Sequence, residues 1–389
     1  MSEWKECKLG DVAEKFIDYR GKTPQKSESG VPLVTAKIVK NGKILEPNEF
    51  IKVDIYDSWM IRGLPEINDV VLTTEAPLGE VALLKDKNVA LAQRIILIRG
   101  KQSISDNAYL KYYFQSSDGQ YELHSRASGT TVFGIKASVL KEVPVPLPSL
   151  SEQKAIACVL SSLDDKIDLL HRKNKTLEAM AEALFRQWFI EEAEEDWEEK
   201  SLLEIIQVVG GGTPKTSIQK YWNGEIFWLS GGDIASNHKS FIISCEKTIT
   251  EAGLKNSSAK LLPQYATVIS ARGTVGKYCI LSKPMAFSQS NYGILPKYGT
   301  CFFFTYSLIN HVVAELHSSA YGSVFDTITT TTFKEIVVLV PSDDEIEKFE
   351  VTISPYFQKM LTNTLQIRTL EKLRDTLLPR LISGEVKVL

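Results

Sequence analysis

Glycine beside lysine and threonine is the material of a phosphate cradle, and this chain carries it twice. The two stretches are Gly21-Lys22-Thr23 and Gly210-Gly211-Gly212-Thr213-Pro214-Lys215-Thr216. A phosphate loop needs glycine at both ends of G-x-x-x-x-G-K-[ST], so that backbone N–H groups converge on the phosphates. Phe16 and Pro214 occupy the required glycine positions, so neither stretch reads as a nucleotide site. The five histidines (His124, His171, His238, His311, His317) form no i, i+4 pair and no H-E-x-x-H. The five cysteines (Cys7, Cys158, Cys245, Cys279, Cys301) form no C-x-x-C pair, which points to reduced, mostly buried thiols rather than zinc or disulfides. No catalytic residue, metal site or cofactor site is expected.

The two glycine-threonine turns instead mark a repeat. Shifted by 193 residues, the first half of the chain realigns on the second: Trp4 on Trp197, His124-Ser125 on His317-Ser318, Lys141-Glu142-Val143 on Lys334-Glu335-Ile336, Pro148-Ser149 on Pro341-Ser342. Loop insertions make the offset drift, to 190 at Gly21-Lys22-Thr23-Pro24 and Gly211-Gly212-Thr213-Pro214, 197 at Gly79 and Gly276, and 196 at Gln93 and Gln289. Matching ends with divergent middles imply two copies of one module whose variable surface has been individualised. At 389 residues, 43% hydrophobic and 24% charged, the chain has room for two self-sufficient cores. No run approaches the roughly 18 apolar residues of a membrane span. Met1-Ser2-Glu3-Trp4-Lys5-Glu6 lacks the basic and apolar regions of a signal peptide, so a cytoplasmic location without membrane contact is expected. The net charge of −3 is unevenly placed: residues 1–150 carry 20 Lys+Arg against 19 Asp+Glu and residues 201–341 carry 11 against 8, while residues 151–200 carry 7 against 13. Acidity is concentrated in a connector, which permits a basic nucleic-acid-binding face on either module without requiring one.

The elements that position these residues are of two kinds. Short apolar runs punctuated by Gly, Pro, Asn and Asp read as strands at 31–34, 69–73, 81–84 and 94–98, and again at 226–229, 267–270 and 277–281. A helix is expected late in each copy, over 107–123 and 304–316, giving an α+β module. Each module stops at prolines, in Val143-Pro144-Val145-Pro146-Leu147-Pro148 and Val337-Val338-Leu339-Val340-Pro341, where the chain must turn. Helix caps follow: Ser149 or Ser151 with Glu152 or Gln153, and Ser342 with Glu345. Beyond them, apolar residues recur in steps of four and three: Ile156, Leu160, Leu163, Ile167, Leu170, Asn174, Leu177, Ala181, Leu184 and Trp188, then Phe349, Ile353, Tyr356, Met360, Asn363, Ile367, Leu370, Arg374, Leu377 and Leu381. Such a repeat is a coiled-coil seam, and one asparagine in each helix can fix register. The expected order is module 1–148, spacer helix 149–190, module 191–341, and helix with tail 342–389. Paired antiparallel, two such helices of roughly 54 Å would place pseudo-two-fold-related modules at the ends of a fixed-length caliper. Duplex DNA, with half-sites whole turns of roughly 34 Å apart, is the object such a caliper would fit.

The ordered motifs resemble the specificity subunits of type I restriction–modification systems across essentially the whole chain. The resemblance runs through Trp4 to Leu9 and Trp197 to Leu202, the G-x-T-P turns, Gly231-Gly232-Asp233-Ile234, Ser270-Ala271-Arg272-Gly273-Thr274-Val275-Gly276, and the Gly129-Thr130 and Gly322-Ser323 turns. It closes on Pro146-Leu147-Pro148-Ser149-Leu150-Ser151-Glu152-Gln153-Lys154-Ala155-Ile156-Ala157 and Leu378-Pro379-Arg380-Leu381-Ile382-Ser383-Gly384-Glu385-Val386. It implies a non-catalytic subunit whose modules each recognise half of a bipartite double-stranded target. The paired helices would set the gap and dock two modification (methyltransferase) subunits, with restriction subunits completing the assembly. No Asn-Pro-Pro-Tyr string and no S-adenosylmethionine fingerprint is present, so methyl transfer is expected from a partner. The first copy departs from the pattern: Thr35-Ala36-Lys37-Ile38 stands for Gly231-Gly232-Asp233-Ile234, and Thr74-Glu75-Ala76-Pro77-Leu78-Gly79 for the Arg272 stretch. Expected DNA contacts are Arg20, Lys22, Lys37, Lys40, Arg126 and Thr130 in the first module. In the second they are Lys215, Asp233, Asn237, Lys239, Arg272, Gln289 and Asn291. Tyr221, Trp222, Phe227 and Trp228 read as core. The competing reading is a coiled-coil scaffold presenting two protein-binding modules, which gives less reason for the copies to diverge.

Overall fold

A computed structural model describes residues 4–129, 132–297, 299–321 and 327–388. The chain divides into two compact units, Met1–Ile167 with Leu370–Leu389, and Asp168–Thr369. In the first, an antiparallel sheet runs in the order Ala13–Asp18, Ile95–Gly100, Val70–Thr74, Leu78–Leu83. Val70, Leu72, Ile96 and Ile98 face Tyr109, Tyr112, Tyr113 and Phe114, whereas Val71, Ile95 and Leu97 face Leu33, Val34 and Ile51 of a second sheet. Side chains alternate across a strand, so a sheet covered on both faces reads in sequence as an unbroken apolar run. The second unit is built the same way. Ile269, Tyr278, Ile280 and Ile294 turn towards a core containing the helix Phe302–Tyr321, and Val268, Cys279 and Leu281 turn towards Leu229, Met285 and Phe287.

The repeat extends to individual main-chain hydrogen bonds. Leu9 N donates to Val143 O (2.8 Å) and Leu202 N to Ile336 O (2.9 Å); Ala92 N donates to Val34 O (2.9 Å) and Ser288 N to Leu229 O (2.9 Å). The second pair makes Val34 the equivalent of Leu229, so Thr35 corresponds to Ser230 rather than to Gly231. Both residues stand at the N-cap of a short helical turn, Ala36–Ile38 in one unit and Gly231–Ser236 in the other. The one-residue difference from the sequence alignment arises because the longer turn of the second unit reaches its buried Ile234 one residue later.

Two expectations are corrected. The proline stop of the first unit is a strand, Pro144–Leu147, paired antiparallel with Lys5–Lys8. In a two-stranded ribbon only one edge is bonded, so Pro144 and Pro146, two residues apart, both leave their missing donors on the open edge. Glu198–Ser201 and Val337–Val340 form the matching ribbon. The single helix expected over 107–123 is broken into Asn107–Gln115 and Ser117–Ser125. Ser116 Oγ accepts from Gly119 N (3.2 Å) to cap the second piece, and a Cβ at Gly119 would lie 2.1 Å from the Tyr113 carbonyl.

The long helices are Leu150–Arg186, continued by a π-helical turn Gln187–Glu191, and Asp343–Ile382. Ser342 and Glu345 form the reciprocal cap of the latter (Ser342 N to Glu345 Oε2, 2.9 Å; Glu345 N to Ser342 Oγ, 3.3 Å). At the former, Ser149 Oγ accepts from Glu152 N (3.3 Å). Gln153 is fully buried instead, accepting from Asp106 N (2.9 Å) and donating to the carbonyls of Ile104 and Pro148 (3.0 and 2.9 Å), which fastens the helix start to its module. Ile156, Leu160, Ile167, Leu170, Ala181, Phe349, Ile353, Met360, Asn363, Ile367 and Leu381 are buried; Leu163, Asn174, Leu177, Leu184, Trp188, Tyr356, Leu370, Arg374 and Leu377 are half-buried. Towards the modules the stripe widens: Ile156, Ala157, Leu160, Leu381 and Ile382 join the first core, and Phe185, Phe189, Phe349 and Phe357 the second.

Within the second unit Asn363 Nδ2 donates to Asn174 Oδ1 (2.8 Å), and Asn174 Nδ2 faces Met360 O and Thr364 Oγ1 (3.3 and 3.2 Å). Within the first, the Asp164 carboxylate takes Lys111 Nζ (2.8 Å), Tyr112 Oη (2.7 Å) and Arg374 Nη1 (3.1 Å). Burial works against that carboxylate, but Lys111, Tyr112 and Arg374 outweigh it and hold its pKa below the ordinary 3.8. Asp164→Asn should therefore lower stability by about 3 kcal/mol, because the buried Lys111 and the half-buried Arg374 both lose the carboxylate charge they share. A depressed carboxylate pKa stabilises the fold above the unfolded value, and the effect is lost as pH falls through the folded value. In thermal melts the gap between wild type and variant should be constant at neutral pH and narrow below about pH 4. Asn363→Ala should lower stability by about 1–3 kcal/mol by stranding Asn174, whereas replacing both asparagines with leucine should match or exceed the wild type in the same melts.

Candidate nucleic-acid interface

In each unit the G-x-T-P turn leaves a strand of the central sheet and is fastened to a glutamine on another turn. Pro24 and Pro214 are buried, which turns Thr23 and Thr213 outward. Gln93 Nε2 donates to Thr23 Oγ1 (3.1 Å), and Thr213 Oγ1 donates to Gln289 Oε1. Gly212 serves this approach, since a Cβ there would come within 2.3 Å of the Ser258 backbone. Trp228, buried as expected, donates from Nε1 to Gly212 O (2.9 Å), while Tyr221, Trp222 and Phe227 are half-buried.

Around the first turn lies a cleft of about 240 Å³ lined by Thr23, Thr35, Lys37, Gln93 and Arg94, among others. Lys26 at its edge is paired with Glu49 (2.8 Å) and Arg94 with Glu75 (3.0 Å), leaving Lys37 as its cation without an ion pair among the described residues. Lys22 is exposed beside it. Arg20 is directed inward: its Nη2 donates to Ile135 O (2.6 Å), and Ile135 N in turn donates to Thr74 O (3.0 Å), so it braces the rim. Lys40 sits on the hairpin Val39–Lys40/Lys43–Ile44, whose Asn41-Gly42 turn has φ of 50° and 82°, and it does not line the cleft. Arg126 is paired along its helix with Glu122. Thr130 lies outside the described residues.

In the second unit Lys215, Arg272 and Gln289 are exposed. Arg272 stands on the turn 271–277, where Gly273 has a φ of 77° that a side chain would strain, and Thr274 N donates to Arg272 O (2.9 Å). Asp233 accepts from Ser230 N and Ser230 Oγ (2.8 and 2.6 Å), and Asn237 Nδ2 donates to Asp233 O (2.8 Å), so both shape the short helix Gly231–Ser236. Lys239, half-buried with a φ of 58°, donates its N–H to Tyr278 O (2.9 Å). Beside it, burial and then Lys277 hold His238 below the usual imidazole range, keeping it neutral against the Tyr278 backbone. Asn291 is buried; its Nδ2 donates to Ser288 Oγ (2.8 Å) and its Oδ1 has no partner among the described residues.

The surroundings of each turn thus hold exposed cations and amides on a braced base. Sequence reasoning left out Gln93, although the repeat pairs it with Gln289, and Arg94 and Glu75, which have no counterparts of like chemistry in the second copy. Their signal was the alignment itself, applied in both directions.

This arrangement has known relatives. Residues 1–179 and 194–373 each match the family model of the type I restriction modification DNA specificity domain. The MjaIX specificity subunit of Methanocaldococcus jannaschii is 27% identical over 99% of this chain and 94% of its own length. The HindI specificity subunit of Haemophilus influenzae is 22% identical over 99% of this chain and all of its own. The crystal structure of the S subunit of a type I restriction–modification system from M. genitalium shares the fold, with a TM-score of 0.63 at 18% identity, covering 97% of this chain and 96% of that one. Two family matches spanning most of the chain place this protein among the DNA specificity subunits of type I restriction–modification systems.

Proposed function

We propose that residues 1–148 and 191–341 are two target recognition modules, each reading one half of a bipartite double-stranded DNA sequence, and that helices 149–190 and 342–389 set the unread gap between them. The observation that carries this reading is the repeated turn: one Thr–Gln fastening in both units, surrounded by loops of different charge. A conserved base with individualised rims suits a protein that meets the same duplex twice but reads different bases each time. Lys22, Lys37, Lys215, Arg272 and Gln289 are proposed to touch DNA. Arg20, Arg126, Asp233, Asn237 and Asn291 are proposed to hold the loops in shape. Lys40 and Lys239 are placed at the margin, as phosphate contacts.

The chain is proposed to be non-catalytic, to dock two modification subunits through the helices and adjacent surfaces, and to join restriction subunits in a cytoplasmic assembly. The relatives' description as specificity subunits supports this division of labour. No helix among the described residues is long and apolar enough to cross a membrane.

Selection from a randomised duplex, with the chain reconstituted with its modification subunits, tests the proposal. Two short fixed motifs separated by a constant random gap are expected; a flat selection from a stable complex would refute DNA reading and favour a protein scaffold. Deleting one heptad from each long helix should shorten the selected gap and leave both half-site sequences unchanged. Altered half-sites would show that the helices do not act as the spacer.

A further inference from the structure

The equivalences of the main chain locate a paired change of charge. Thr74 N donates to Arg94 O (2.8 Å) in the first unit, and Ala271 N donates to Ser290 O (2.9 Å) in the second. Ile135 N donates to Thr74 O (3.0 Å), and Ile328 N donates to Ala271 O (3.1 Å). Thr74 is therefore the counterpart of Ala271 and Arg94 that of Ser290, and the next residue along makes Glu75 the counterpart of Arg272. Where the second module presents an arginine, the first carries a carboxylate. Where the second carries a serine, the first carries an arginine.

The two changes are coupled, because Arg94 Nε lies 3.0 Å from Glu75 Oε1. Glu75 meets the guanidinium at its Nε edge, on a side chain that is 50% exposed and whose Nη1 and Nη2 make no hydrogen bond to the described residues. Arg94 also holds a φ of 72°, where glycine is the comfortable residue. It lines the cleft next to Gln93, whose amide is fastened to Thr23.

We propose that Arg94 is a base-reading residue of the first module, taking over from the turn before the neighbouring strand Ile95–Gly100 the place that Arg272 holds in the second, and that Glu75 is its positioning residue. The ligand is a pair of adjacent acceptors on duplex DNA, which a guanidinium fork meets either as guanine O6 and N7 or as two phosphate oxygens. A guanidinium paired at Nε keeps Nη1 and Nη2 as its remaining donors, a fork that suits the guanine edge. This assignment rests on the DNA-reading proposal.

The test is the same selection, performed on the full chain with its modification subunits. Wild type should show guanine at one position of one half-site. Arg94→Ala should relax that position, with discrimination falling on the order of tenfold to a hundredfold, and leave the other half-site intact. Arg94→Gly, which suits the backbone, should do the same while remaining at least as stable, which separates reading from folding. Glu75→Gln should weaken the same position only, and the double variant Glu75→Gln/Arg94→Ala should be no worse than Arg94→Ala alone. A uniform loss of affinity with a shallower salt dependence would make Arg94 a phosphate contact and overturn the base-reading role. An unchanged motif in Arg94→Ala would overturn the site, and additive or scattered effects of Glu75→Gln would overturn its positioning role. A wild-type selection without two fixed motifs would instead defeat the DNA-reading proposal itself.

Discussion

Closure of each module by its own first and last strands is the constraint on which the remaining structure depends. Lys5–Lys8 is zipped to Pro144–Leu147, and Glu198–Ser201 to Val337–Val340. The ribbon brings the entry and exit of roughly 140 residues side by side at the foot of a long helix, so that module and helix are joined at one fixed point. The prolines of Pro144–Leu147 suit the ribbon because they end the strand ladder on its open edge and pass the chain to Ser149, which caps the helix. Gln153, satisfied on three sides by Asp106, Ile104 and Pro148, then prevents the helix start from swinging relative to the module core. Once the ends are held in this way, residues between them can change without disturbing the join.

The central sheets tolerate that change for a related reason. Each is covered on both faces, by helices on one side and a second sheet on the other, so its stability resides in side chains that no ligand touches. The turns at its strand ends are free of that duty and are braced separately. Arg20 and Thr74 converge on Ile135 in the first unit, and Ser230, Asp233 and Asn237 lock the short helix of the second. Rigid support beneath variable loops is the arrangement a recognition surface requires, since a loosely held side chain discriminates poorly.

Much of this architecture was legible in the sequence because it rests on periodicities. Continuous apolar runs marked the strands, the four-three repeat marked the long helices, and S-x-x-E marked the start of the second of them. The sequence also singled out Asn174 and Asn363, which face each other at 2.8 Å. What was illegible depended on single tertiary contacts. The expectation of one helix over 107–123 follows the apolar spacing and passes over the cap and turn residues Ser116-Ser117-Asp118-Gly119; the break there is fixed by Gly119 lying against the Tyr113 carbonyl. The proline run hid a strand because sequence cannot say which edge will be bonded. Among the candidate contacts, residue type alone could not separate an outward Lys37 from an Arg20 whose guanidinium is turned onto a backbone carbonyl. Asp233 is a polar loop residue by type and a helix cap by position.

The exchange between Glu75–Arg94 and Arg272–Ser290 shows how such a surface can diverge without electrostatic penalty. A lone carboxylate in the position of Arg272 would repel a polyanion. Paired at 3.0 Å with Arg94, it leaves that pair neutral and still offers the remaining guanidinium donors. Changing either residue alone from the arrangement of the second copy gives an unpaired charge: a bare glutamate facing phosphates, or two arginines on adjacent turns. The pair is therefore a unit of variation, and it moves the origin of an arginine from one turn to its neighbour while the Thr–Gln fastening beneath stays in place. A duplicated module that must read two sequences gains most from substitutions of this kind, which alter where a donor points, change the local charge by a single unit and leave the supporting sheet as it was.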